Sequence, residues 1–141
     1  MNRVIALILF CFLVSCGGDD DNTDYTLEKY KEYIVGNWVP DDEEIKSILI
    51  FHRDKTGVQY FPVEKIDDVN YYTSGTFPII SYLVKKDDKK NVYIVEYVYE
   101  RMVNEKPEIY KDTINIEGLT SNTLFTDSNK FKKIPTINIR E

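Results

Sequence analysis

The sequence predicts an all-β domain: a small antiparallel up-and-down barrel of about eight strands, preceded by one short N-terminal helix. Three observations lead there. Eleven Tyr and seven Phe among 141 residues give a strand-favouring composition. Apolar residues recur at helical spacing before Gly36 and at a spacing of two after it. Turn chemistry then punctuates the alternating runs, and strands joined by short turns satisfy their edges best by closing on themselves.

Before the domain comes an address. Arg3 is followed by eleven apolar residues, Val4 to Val14, and then by small Ser15 and Cys16. The run is too short for a spanning helix, which needs roughly 20 apolar residues, and it has the grammar of a secretory signal. Leu13-Val14-Ser15-Cys16 matches the bacterial lipobox, so the chain resembles a lipoprotein. The resemblance implies cleavage before Cys16, a lipid on the Cys16 thiol, and residence at the outer membrane, on its surface or its periplasmic face. Cys11 leaves with residues 1–15, so the processed chain has no free thiol and no disulfide. Residues 16–23 form an acidic tether from Cys16 to the domain at 24–141, with no apolar side chain to pack among Gly17-Gly18-Asp19-Asp20-Asp21-Asn22. Its aspartates are either an export signal to the cell surface or a solvated spacer.

Net charge narrows the partners. The chain carries −6, and removing the signal takes away Arg3 and no acid, which leaves −7. Nucleic-acid binding draws on Lys and Arg massed on one face, whereas here they alternate with acids, as in Lys85-Lys86-Asp87-Asp88-Lys89-Lys90. No nucleic-acid partner is expected. About 115 residues beyond the tether suit one core and one domain.

The helix is expected over Thr23 to Val35, with Leu27, Tyr30 and Ile34 on one face, Thr26 or Asp24 at its start and Gly36 past its end. Asn37-Trp38-Val39 begins the strands. The following loop, Asp41-Asp42-Glu43-Glu44, invites a calcium site, but it lacks the spacing and central glycine of an EF-hand and reads better as solvated. Ser47 to His52 is apolar on both faces and so should be covered twice, with the helix as the second cover. Asp54-Lys55-Thr56-Gly57 turns it into Val58 to Phe61, which Pro62 stops. Asp67 to Thr73 is ambiguous.

Gly75 to Lys86 is a long strand with a bulge or edge expected at Pro78. Val92 to Met102 is the longest. One of its faces carries Tyr93, Val95, Tyr97 and Tyr99, the other Val92, Ile94, Glu96, Val98 and Glu100. Unpaired acids are costly to bury, so the tyrosines should face inward and the glutamates meet water. Glu108 to Ile116, Thr123 to Thr126 and Lys130 to Ile139 complete the set, the last broken by Pro135.

Gly36-Asn37-Trp38 after a short helix, Ile50-Phe51 before Asp54-Lys55-Thr56-Gly57, and Ile116 to Leu124 near the end together resemble the bacterial lipocalin-like lipoproteins over residues 27 to 134. The resemblance implies an eight-stranded barrel closed at one end by the helix, Gly36 and Trp38. This chain is shorter than secreted lipocalins and lacks their stabilising cysteines, which weighs against a roomy pocket.

The catalytic inventory is thin. His52 is the single histidine, no serine lies in a Gly-x-Ser-x-Gly turn, and Glu96 and Glu100 lie about 13 Å apart along their strand. A structural role is expected for His52, and neither an enzyme, a cofactor nor a metal is expected. Two binding readings remain. In the first, which size favours, the barrel is filled by its own side chains and serves as an interaction or accessory module of a surface complex, with an envelope protein as partner. In the second, its mouth takes a small apolar or amphipathic ligand touching Tyr93, Tyr97 and Tyr99.

Overall fold

The computed structural model describes residues 23–42, 44, 46–127 and 129–141. The expected signal peptide, the expected lipidation site Cys16 and residues 16–22 of the expected tether lie outside the described residues.

Helix α1 (Tyr25–Tyr33) comes first, shorter than expected because Asp24 is its cap: the Asp24 carboxylate accepts from the Leu27 N–H at 3.0 Å. Its inward residues Leu27, Tyr30 and Tyr33 lie against the main core, and Ile34 just beyond it is fully buried. The strands follow as β1 (Gly36–Pro40), β2 (Ile48–Phe51), β3 (Gly57–Tyr60), β4 (Val63–Lys65), β5 (Asn70–Thr73) and β6 (Thr76–Asp87). After them come β7 (Val92–Val103), β8 (Lys106–Ile116), β9 (Gly118–Leu119), β10 (Thr123–Thr126), β11 (Asn129–Ile134) and β12 (Asn138–Arg140).

Nine of these strands form one antiparallel sheet in the order β8-β7-β6-β3-β2-β1-β11-β10-β9, curled into a half-barrel behind α1. The expected all-β architecture is therefore present. The sheet departs from sequence order at two places: β3 pairs with β6, while β4 and β5 leave to form a second sheet, and β1 pairs with β11, which leaves β8 and β9 at the two edges. The second sheet runs β12-β5-β4, with β12 parallel to β5.

The second sheet corrects one expectation. Leu49 and Phe51 of β2 join Trp38 and the helix residues in the core inside the curl, so α1 covers the concave face. Ile48 and Ile50 point the other way, into a separate cluster with Val39 and Tyr71, packed by Val63, Ile137 and Ile139. The second cover of β2 is thus the small sheet with its flanking chain, and the helix lies on the first face.

In β6 the register shifts between Ile79 and Ser81, next to Pro78 as the sequence suggested. The β7–β8 connection is tighter than the gap between the expected strands, Met102 to Glu108, suggested. Asn104 and Glu105 have φ of 51° and 64° between the paired residues Val103 and Lys106, the geometry of a two-residue hairpin turn.

Candidate functional site

The core beside the end of α1 is built around Trp38, which is fully buried and donates from Nε1 to the Ile34 carbonyl at 2.7 Å. The side chain of Lys133 lies across it. Its Nζ sits 4.8 Å from the centroid of the Trp38 ring and donates to the carbonyls of Tyr33 (2.6 Å) and Val35 (2.8 Å), groups that the end of α1 leaves without a helical partner. Burial lowers the Lys133 pKa. Gly36, at φ 144°, makes room for this arrangement, since a Cβ there would stand 2.9 Å from Lys133 Cδ. Sequence reasoning named Gly36 and Trp38 and missed Lys133. A signal was available: alternation puts Lys133 on the same face as Phe131, which is buried in the core.

Along β7 the tyrosine face points inward. Tyr97 is 3% exposed and, with Val95, belongs to the core inside the curl, while Tyr93 and Tyr99 pack against that core. The rings form a continuous series: Phe51 meets Tyr82 at 4.8 Å and Tyr97 at 6.4 Å, Tyr97 meets Tyr99 at 5.8 Å, and Tyr99 stacks on Tyr110 at 5.6 Å. Tyr93 stands apart from that series. It meets Tyr30 edge-on at 5.1 Å and donates its hydroxyl to both Asp24 oxygens, at 2.9 and 3.0 Å, locking the helix cap to the start of β7. That bond raises the Tyr93 pKa, and the Leu27 N–H with the Tyr93 hydroxyl lowers that of Asp24.

Glu96 lies on the opposite face as expected, but it is not simply solvated. Lys85 and Lys111 each approach it to 2.9 Å from the neighbouring strands, and their bonds lower its pKa. His52 is exposed at the end of β2. Its carbonyl accepts from the Tyr82 hydroxyl at 2.6 Å, and its ring faces the Thr56 hydroxyl at 3.3 Å across the turn. In the 41–44 loop the Asp41 carboxylate pairs with Lys130 at 2.9 Å, which lowers its pKa.

At one side of the curl β8 approaches β10. The Glu117 N–H donates to the Phe125 carbonyl at 2.9 Å, and Asn115 reaches the Asp127 carboxylate at 3.1 and 3.2 Å. Near these bonds lies a wedge of about 180 Å³ lined by Leu49, Tyr97, Thr113, Thr126, Asn129 and Phe131 among others. Of the three residues singled out on β7, Tyr97 alone lines it. Its hydroxyl donates to Asp112 at 3.3 Å, and burial, then the Asp112 charge, raises its pKa. A larger cleft of about 500 Å³ lies elsewhere, between the 41–46 loop and the second sheet, with Asp41, Asp42, Lys46 and Lys132 on its rim. Charges of both signs alternate there, so no single ligand charge is favoured.

The free edge of β8 is blunted. N–H groups alternate sides along a strand, so Pro107, Ile109, Lys111 and Thr113 share the outward side with Glu117. Pro107 has no N–H, and that of Thr113 is taken by the Asp112 carboxylate at 2.8 Å. Such devices discourage the pairing of a foreign strand.

The arrangement defines a class: a curled β-sheet whose interior is packed with its own aromatic and aliphatic side chains. Comparison with protein-family models, with curated proteins and with solved structures finds no match to this chain.

Proposed function

We propose that the protein is a lipocalin-like lipoprotein of the outer membrane, held by a lipid on Cys16, and that it acts without catalysis as an interaction or accessory module of an envelope complex. The observation that carries this reading is the filled interior. Trp38, Phe51, Tyr82, Tyr97 and Phe131 occupy the curl, and the wedge beside them, about 180 Å³, is below the roughly 300 to 1,000 Å³ of ordinary small-molecule sites. A domain without room inside works through its outside. The aromatic series then serves as core, holding the surface in shape.

Native mass spectrometry of the processed chain purified from membranes tests this. The expected mass is that of residues 16–141 plus acyl groups on Cys16. A further small molecule bound one to one and lost on denaturation would overturn the filled-barrel reading. Cys16→Ser should move the protein from the membrane to the soluble fraction, because one side chain carries the whole attachment.

The wedge itself favours one second reading. Tyr97 at its floor and Thr113, Asp127 and Asn129 at its rim suit a small amphipathic molecule, with the ring as the apolar wall. The same mass measurement decides between the two.

A further inference from the structure

We propose that the pole of the domain carrying the start of α1 and the β6–β7 turn rests on the lipid surface, so that the β7–β8 hairpin points away from the membrane. The proposal rests on the lipid attachment at Cys16 proposed above, and it commits to phospholipid headgroups as the occupant of that pole.

The first ground is where the described chain begins. Asp24 is tied to the body of the fold at both its functions, capping α1 through the Leu27 N–H and accepting from the Tyr93 hydroxyl on β7. The chain therefore leaves the domain at one defined place. From Cys16 to Asp24 it spans at most about 27 Å when fully extended. A random coil of that length averages about 16 Å end to end. Either figure is shorter than β7 itself, which runs about 33 Å from Tyr93 to Val103 at the rise of a strand. The near pole is held close to the bilayer, and the hairpin at the far end of β7 is not.

The second ground is the chemistry of the near pole. Tyr25, in the first turn of α1, is 71% exposed, although its ring is the kind that settles at headgroup level. Next to the clamp, Lys86 lies 5.8 Å from the Tyr93 ring, and the turn that follows adds Lys89 and Lys90, all three exposed. Of the two aspartates between them, Asp87 turns its carboxylate back onto the N–H groups of Lys89 (3.1 Å) and Lys90 (3.4 Å). Lys89 and Lys90 stand exposed beside Asp88, where phosphate headgroups would meet them.

The experiment supplies the anchor chemically, so that it reads orientation whether or not cells lipidate Cys16. The packing described above lies within residues 24–141, and residues 16–141 contain one thiol, Cys16, which is coupled to a maleimide lipid in phosphatidylethanolamine and phosphatidylglycerol vesicles. The vesicles also hold phosphatidylcholine spin-labelled on its headgroup, which quenches nearby tryptophan. Trp38 is buried and gives a constant background. Tyr25→Trp and Lys89→Trp at the near pole, and Met102→Trp at the far one, are all exposed positions whose substitution leaves the core untouched. The expected result is strong quenching of the first two and background quenching of Met102→Trp. Equal quenching at all three positions, stronger quenching at Met102→Trp, or background quenching throughout would each overturn the proposal. Failure of the lipoprotein reading would show separately, as an unacylated Cys16 in protein from cells.

Discussion

At the scale of single residues, the side chain that does most to join elements is a lysine. Lys133 satisfies two carbonyls at and just beyond the end of α1 and covers the Trp38 ring, so it ties β11, β1 and the helix together. Lys133→Met keeps the stem and removes the donors. It should cost about 1 to 2 kcal/mol, at or below the usual range for hydrogen bonds from a charged group because the ammonium is only partly buried. Lys132→Met, on the outer face, should change stability by no more than about 0.5 kcal/mol. Chemical denaturation of the two variants checks the difference. Tyr97 allows a second separation, between ring and hydroxyl. Its bond to Asp112 is long, at 3.3 Å, while its ring is buried among Phe51 and Tyr99. Tyr97→Phe should therefore be nearly neutral, and Tyr97→Ala should cost about 3 to 5 kcal/mol, the range for emptying a large aromatic site. Equal losses from both would mean that the hydroxyl, not the ring, holds this part of the core. The inward tyrosines were legible because alternation gave them one face and the glutamates the other. The lysine was not, because its charge argued for the surface more strongly than its position argued for the inside. Only the two carbonyls, which no sequence pattern announces, reconcile charge with position.

At the scale of elements, β2 shows how far periodicity reaches. Four apolar residues in a row announced a strand covered on both faces, and all four are buried. What covered the second face was not legible. The strands that do so are three or four residues long, and β12 pairs with β5 in parallel across 68 residues, Asn138 with Asn70. Short polar-flanked runs such as Val63–Lys65 carry too few alternations to register as strands, and pairing over that distance leaves no local signature. The helix was an amphipathic element in search of a surface, and it had one inside the curl. The two-sided burial makes a direct comparison possible. Ile48, fully buried against the second sheet, should cost about 2 to 5 kcal/mol when replaced by Ala. Leu83, 51% exposed on the outer face of β6, should cost far less, within about 0.5 kcal/mol. Thermal unfolding of both variants checks this. An Ile48→Ala variant as stable as Leu83→Ala would mean that the small sheet adds little to the stability of the main one.

At the scale of the whole molecule, the clustered phenols and the capped carboxylate make stability depend on pH at both ends of the range. Burial raises the pKa of Tyr82 and Tyr97 above the ordinary value of about 10, and the bond to Asp24 does the same for Tyr93. A phenol whose pKa is higher in the folded state contributes stability that is complete below about pH 10 and is lost as pH rises toward the folded value, because the unfolded chain gives up its proton first. Asp24 works in the opposite sense. Its pKa is lowered in the fold by the Leu27 N–H and then by the Tyr93 hydroxyl, so its contribution is present above about pH 4 and disappears as pH falls through the folded value. The two ends share one bond, that between Tyr93 and Asp24. Asp24→Asn removes the titrating carboxylate and the charge that holds the Tyr93 proton, yet it leaves Tyr97 in its core position beside Phe51. Stability measured by urea denaturation across pH should thus show both limbs reduced but still present, the acid one because Asp41 and Glu96 also have lowered pKa values and the alkaline one because Tyr97 keeps its place. The last part of the rise in tyrosinate absorbance, from the buried rings, should accompany the loss of near-ultraviolet circular dichroism, since Tyr97 ionises only when the curl opens. Full ionisation of all tyrosines at ordinary pH with the dichroism intact would show that the interior rings are open to water, and the filled half-barrel would then be the wrong description of the fold.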